Sequence, residues 1–253
     1  MLSGSLPGVR DYSFMRKPRW IAGFLLVALI AVLFVNLGFW QIRRLHWRQG
    51  LNAVITAQEH KPPIPLDQLA GKPLDEIQYR RVTATGTFDA TEELILYGRP
   101  DATGQQGNHL LTPFTTESAD TVIVDRGWVP LQLAHPPVTQ ATPPTDTTSI
   151  TGVLLPPEST SHELPPQAGE VKDINFGQLS QVGASIDFPA YLMLQTQDPS
   201  QPGQYPVPGS LPQLSQGPHL SYAIQWFTFT IIGIVGFVVL VRKEAREQAQ
   251  TPP

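Results

Sequence analysis

The chain has 253 residues, with 17 Lys+Arg against 21 Asp+Glu, 26 Pro and no Cys. The lack of cysteine excludes disulfides, thiolate zinc centres, Cys-x-x-Cys redox chemistry and thiol-ligated copper. A net charge of −4 gives no footprint for nucleic acid, and 15% charged residues, against roughly 25% in a soluble domain, point to long apolar segments.

Residues 1–19 form a short basic N-terminal segment with Arg10, Arg16, Lys17 and Arg19. From Trp20 to Phe39 the chain carries no charge, and at 1.5 Å per residue this run covers about 30 Å, the thickness of a bilayer core. It ends in Asn36-Leu37-Gly38-Phe39-Trp40 rather than a small-residue cleavage site, so a retained anchor over 20–41 is expected rather than a signal peptide. Leu45 to about His60 has polar helical character and continues the span outward. A second uncharged run, Ser221–Val241, gives a span over 219–241, followed by a basic tail (Arg242, Lys243, Arg246) over 242–253.

Basic residues set orientation. No Lys or Arg lies in the 40 residues before the second span, so both termini are expected in the cytoplasm and residues 42–218 outside it. With no transit-type leader, the expected location is a bacterial plasma membrane. Arg43, Arg44 and Arg48, on the disfavoured side of the first span, then need an explanation.

Between the spans, β-branched and aromatic runs bounded by turn residues predict strands at Tyr79–Phe88, Glu93–Gly98, Asn108–Phe114, Thr121–Arg126, Ser149–Leu155 and Phe188–Thr196. One short helix is expected near Phe176–Val182. Two Pro-rich stretches, 130–166 with nine prolines and 199–218 with six, read as extended loops because proline lacks a ladder donor. The expected fold class is membrane α+β: two transmembrane helices flanking one β-rich extracytoplasmic domain, a barrel being preferred to a sandwich.

Enzyme chemistry finds no support. The six histidines form no His-x-His or His-Glu-x-x-His, and there is no Gly-x-Ser-x-Gly, phosphate-binding loop or dinucleotide fingerprint. Glu92-Glu93 reads as a solvated turn, since neighbouring strand residues face opposite ways.

Three clusters remain. At the outer end of the first span, Trp40, Arg44 and Trp47 share a helical stripe with Gln41 and Arg48 beside it; at the start of the second, His219, Tyr222 and Trp226 share a face. One reading is an aromatic belt with snorkelling arginines. The other is a haem site, with a neutral imidazole on the iron and arginines on the propionates. The third cluster, Asp125, Arg126 and Trp128, is either a partner-binding edge or a strand end closed by Gly127 with Arg126 paired to an acid or stacked on Trp128.

At these residues the chain resembles the Surfeit-locus protein one family of cytochrome c oxidase assembly factors. The resemblance rests on LGFWQIRR (Leu37–Arg44), YRRVTATGTF (Tyr79–Phe88), GNHLLTPF (Gly107–Phe114), VIVDRGWVP (Val122–Pro130) and PHLSYAIQWF (Pro218–Phe227), in that order between two spans. The family commonly has Asn where this chain has Asp125, and the Pro-rich stretches match least. The resemblance implies a haem chaperone, not an enzyme, assisting delivery of haem a to oxidase subunit I. His219 would be the iron contact, with Tyr222, Gln225, Trp226, Trp40, Gln41, Arg43 and Arg44 around the cofactor and Asp125, Arg126 and Trp128 facing a partner. Subunit I, haem a synthase and the bilayer are the expected partners, with nucleic acid excluded. The alternative is a membrane-anchored scaffold that steadies an oxidase subunit without holding haem.

Overall fold

The computed structural model describes residues 12–133, 135–158, 169–181, 186–209, 211 and 214–250. Residues 1–11 with Arg10, the 159–166 part of the first Pro-rich stretch with His162, Val182, Pro212 and the last three residues lie outside the described residues. Two compact units are present, Met1–Asn52 with Leu214–Pro253, and Ala53–Gln213.

The first unit is built from two long helices. Helix α1 (Pro18–Glu59) spans 42 residues, so the apolar run and its polar continuation form one helix, as the sequence predicts. At 1.5 Å per residue it is about 63 Å long. Proline opens it, where a missing N–H costs nothing. The second long helix, numbered below in chain order, covers His219–Gln250. Both are long and apolar enough to cross a membrane, and only 6% and 11% of their most apolar stretches are buried within the molecule. The exposed faces carry Phe24, Leu25, Leu29, Leu33, Ile231, Ile232 and Val239, side chains that lipid, not water, would solvate. The chain is therefore a membrane protein. Two polar side chains in these helices are satisfied within their own helix, as a bilayer demands: Asn36 Nδ2 donates to Val32 O at 2.8 Å and Thr230 Oγ1 to Trp226 O at 3.0 Å.

The second unit holds eight strands. They are β1 (Ile64–Pro65), β2 (Arg81–Phe88), β3 (Leu94–Pro100), β4 (Gln106–Thr116), β5 (Thr121–Pro130), β6 (Thr148–Leu155), β7 (Glu170–Val171) and β8 (Tyr191–Asp198). Two short helices join them, α2 (Leu74–Ile77) and α3 (Phe176–Gln181); the long C-terminal helix is α4. The sheet order is β1-β2-β6-β8-β5-β4-β3-β7, and β2 also pairs with β4. That extra pairing closes β2-β6-β8-β5-β4 into a five-stranded barrel, which removes the free edges an open sheet would leave.

Gly86 is where the barrel closes. It is the last β2 residue paired with β6 (to Thr148) and the first paired with β4 (to Thr116). A Cβ there would lie 2.1 Å from the Thr115 carbonyl oxygen, so only glycine lets β2 approach β4 while still bound to β6. The inner face holds Val82, Phe114, Val122, Val124, Ile150, Leu154, Leu192 and Leu194, with Leu66, Leu69 and Ile77 packed on the same cluster. Each such side chain contributes about 1.5–3 kcal/mol on burial. β3, β4 and β5 are covered on both faces. Val171, Ile174 and Leu179 pack over Leu94, Leu96, Leu111 and Ile123, while Val138, Ala141, Leu133 and Tyr205 pack on Ile95, Leu110 and Val129.

All six predicted strands are present, with shifted ends, and the short helix runs Phe176–Gln181. Two expectations need correction. The first Pro-rich stretch is not simply an extended loop: it turns through a 3-10 segment at Thr139–Ala141 that buries Ala141, with Val138 buried just before it. Glu93 is not solvated. It is 4% exposed, while Glu92 beside it faces solvent, because the polar demand of a buried arginine draws Glu93 inward.

Candidate functional site

In the helical unit α1 and α4 run antiparallel along one seam. Phe34 meets Trp226 with ring centroids 5.1 Å apart, and Phe39 meets Phe227 edge-on at 5.5 Å. A Cβ on Gly38 would fall 2.6 Å from the Phe227 ring, so this glycine admits the phenylalanine. One turn further out Gln41 reaches His219, the first residue of α4. Gln41 Oε1 can only accept, so His219 Nδ1–H donates to it, at 2.8 Å. That bond fixes the tautomer and leaves the Nε2 lone pair free to bind a metal. Among the described residues Nε2 has no hydrogen-bond partner.

The space beside Nε2 is kept open by Gly217. Its φ is +68°, in the left-handed region that favours glycine, and a Cβ there would sit 3.3 Å from both Nε2 and Cδ2 of His219. On the same stretches of α1 and α4, Trp40, Trp47 and Tyr222 are about half exposed. Arg44 stacks on Trp47 at 4.1 Å and Arg48 lies 5.7 Å from the same ring. The sequence contains no Asp or Glu from Tyr12 to Gln58 or from Pro199 to Lys243, so these guanidiniums have no carboxylate close by on either helix. An imidazole oriented by Gln41, on helices whose arginines lack a carboxylate partner and carry exposed aromatics, suits a planar metal chelate bearing carboxylates.

In the barrel unit the strand cluster is an internal scaffold. β5 carries an extra residue opposite β4: Leu110 pairs with Gly127 and Leu111 with Asp125, so Arg126 is the bulged residue. Gly127 follows at φ +121°, where a Cβ would strike the Val207 carbonyl at 2.0 Å. Arg126 is fully buried. Its Nη1 donates to Glu93 Oε2 at 3.0 Å, and its Nη2 to Ala141 O at 2.6 Å and to Gln201 Oε1 at 2.9 Å. Glu93 also accepts from Val138 N–H at 2.8 Å. Burial is the main cause of two opposed shifts: it raises the Glu93 carboxyl above its ordinary value, and it lowers Arg126 to about 10. Arg126 thus stays a cation at neutral pH and ties both Pro-rich loops to the barrel. Asp125 accepts from Gly127 N–H at 3.0 Å and from His109 Nδ1 at 2.9 Å. Trp128 exchanges backbone bonds with Val207 and covers Gly107.

A model of the SURF1 family matches residues 28–231, which takes in the whole barrel, most of α1 and the first turns of α4. This chain belongs to the SURF1 family. An uncharacterized SURF1-like protein of Mycobacterium tuberculosis is 32% identical, over 95% of this chain and 92% of the relative. A SURF1-like protein of Rickettsia felis is 31% identical over 86% of this chain and 96% of its own length. For a SURF1-like protein of Caenorhabditis elegans the figures are 28%, 93% and 79%.

Within this SURF1-family chain the structure brings some expected site residues together and separates others. Gln41, His219 and Trp226 lie on the seam, with Arg44, Trp40 and Tyr222 flanking it. Arg43 and Gln225 do not join them. At about 100° per residue, Arg43 sits about 200° round α1 from Gln41, and Gln225 about 120° round α4 from His219. Arg48, seven residues after Gln41, returns to the seam, and its Nε is buried without a hydrogen-bond partner among the described residues. The i, i+7 spacing of Gln41 and Arg48 is the signal that identifies it, and the Gly-Pro-His run is the signal for Gly217. Asp125, Arg126 and Trp128 are 5%, 0% and 7% exposed, so the arginine is paired with an acid inside the fold instead of presented at its surface.

Proposed function

We propose that this protein is an assembly factor for cytochrome c oxidase that holds haem a at the membrane edge for delivery to subunit I. The observation that carries the reading is the Gln41–His219 bond of 2.8 Å, which presents Nε2 at the end of two apolar helices, in space kept clear by Gly217. Proteins orient a metal-binding histidine by giving its other ring N–H an acceptor, and the Gln41 carbonyl oxygen supplies one here. His219 would bind the iron through Nε2, Arg44 and Arg48 would hold the propionates, and Trp40, Tyr222 and Trp226 would face the ring. Arg43 is left out of the binding set because its helix face is wrong. The membrane is a bacterial plasma membrane, with both termini in the cytoplasm and the barrel outside. Subunit I is the partner, haem a synthase the donor, and no catalysis is assigned to the chain.

The test is an absorption spectrum with haem extraction on detergent-purified protein co-produced with the haem a biosynthetic enzymes. Wild type should carry near-stoichiometric haem a, and His219→Ala should carry none. Gln41→Leu, which frees the imidazole to rotate, should lose affinity about 10–100-fold while still binding. Folded wild type without haem would support a scaffold that steadies an oxidase subunit, and would refute the carrier.

A further inference from the structure

The seam that holds Gln41 and His219 continues into the membrane span. On α4 the residues His219, Tyr222, Trp226, Thr230 and Gly233 recur at helical spacing; on α1 the matching series is Gln41, Gly38, Phe34, Ala31 and Val27. Below the Phe34–Trp226–Phe229 aromatic group a notch of about 90 Å³ lies between the two helices. Its walls include Val27, Ile30, Ala31 and Phe34 of α1 with Thr230 and Gly233 of α4. The one hydroxyl in it, on Thr230, is already bonded to Trp226 O, so nothing in the wall asks for a polar occupant. Gly233 faces open space, with nothing within 4 Å of where its Cβ would be.

We propose that this notch seats part of the isoprenoid tail of haem a, so that the site selects a farnesylated haem over protohaem. The inference rests on the haem reading above and gives that site its specificity. Position is the argument. Thr230 lies eleven residues from His219, about 16 Å along α4, a distance that an extended farnesyl chain covers from a macrocycle held at the imidazole. The notch has room for one branched prenyl unit, and the remainder of the tail lies along the seam. Lipid is as apolar as the notch, so the gain comes from packing against two helices instead of transfer out of water.

Full-length protein in phosphatidylethanolamine–phosphatidylglycerol nanodiscs, titrated with haem a and with protohaem, tests this. Wild type should bind haem a about tenfold more tightly, the discrimination that one well-packed apolar contact supplies. Gly233→Leu fills the notch from α4 and Ala31→Leu fills it from α1; each should weaken haem a while leaving protohaem binding unchanged. Equal affinities in wild type, or a preference that survives both filled variants, would overturn the proposal and leave the notch to a lipid acyl chain. In those cases protohaem binding that disappears in His219→Ala still upholds the haem site. Absence of His219-dependent binding of either haem would refute the carrier reading and the tail seat together.

Discussion

A single charged residue inside a β-barrel domain shows how much polar bonding is needed to hold it there. Arg126 has no exposure, and its partners are one carboxylate, one backbone carbonyl and one side-chain amide from three separate segments. Removing one member of such a pair leaves an uncompensated buried charge, at a cost of about 3–5 kcal/mol. Glu93→Gln should therefore lower the unfolding free energy of detergent-solubilised protein by that amount, since it keeps the acceptor for Val138 N–H but removes the charge. Arg126→Met should behave differently with pH. The Glu93 carboxyl is already raised by burial, and without Arg126 it rises further. A carboxyl raised in the folded state contributes stability below its unfolded value, and that contribution is lost as pH rises through the folded value. The Arg126→Met deficit should thus shrink between pH 7 and pH 5, whereas the Glu93→Gln deficit should not. Combining the two changes should cost less than their sum, and additive losses would mean that the pair is not coupled. Asp125 shows the opposite tolerance. Its bond to Gly127 N–H needs only an oxygen at that place, which an Asn side chain would also supply.

At the scale of elements, the strands legible in the sequence are those whose side chains alternate or run apolar between turn residues, as in Val82, Ala84, Gly86 and Phe88. β1 and β7 are two residues each and exist only because β2 and β3 lie alongside them, so no periodicity can announce them. The closure of the barrel was equally hidden. Gly86 reads as an ordinary small residue in an alternating strand, and its meaning depends on Thr115, which is distant in sequence. Likewise Glu93 looked like half of an exposed acidic pair, because what buries it is an arginine 33 residues further on. The helical site was more legible, since helix spacing is local: Gln41, Arg48, His219 and Trp226 can be placed by counting. Gly86→Ala tests the closure. With the Thr115 oxygen 2.1 Å from the new methyl, it should cost about 3 kcal/mol, seen as a fall in the thermal midpoint of the barrel. An unchanged midpoint would mean that β2 and β4 do not need this approach.

For the whole molecule the decisive property is which side of the membrane each unit occupies. In the proposed topology Arg242, Lys243 and Arg246 after the second span would hold the C-terminus in the cytoplasm by the positive-inside rule, and Arg43, Arg44 and Arg48 would oppose it at the outer end of the first. The binding role proposed for Arg44 and Arg48 would offset that conflict, because a site for an anionic cofactor at the outer edge needs cations where insertion would disfavour them. The cysteine-free chain allows a clean test, since each introduced thiol is the only one present. Ser118→Cys lies on an exposed turn of the barrel and Ala249→Cys on an exposed turn of α4. In intact spheroplasts a membrane-impermeant maleimide should label Ser118→Cys at once, and Ala249→Cys only after the membrane is opened. The reverse pattern would put the Arg44–Arg48 cluster and His219 on the cytoplasmic side, and the haem site would then face the wrong compartment for a cofactor entering subunit I from the outer edge.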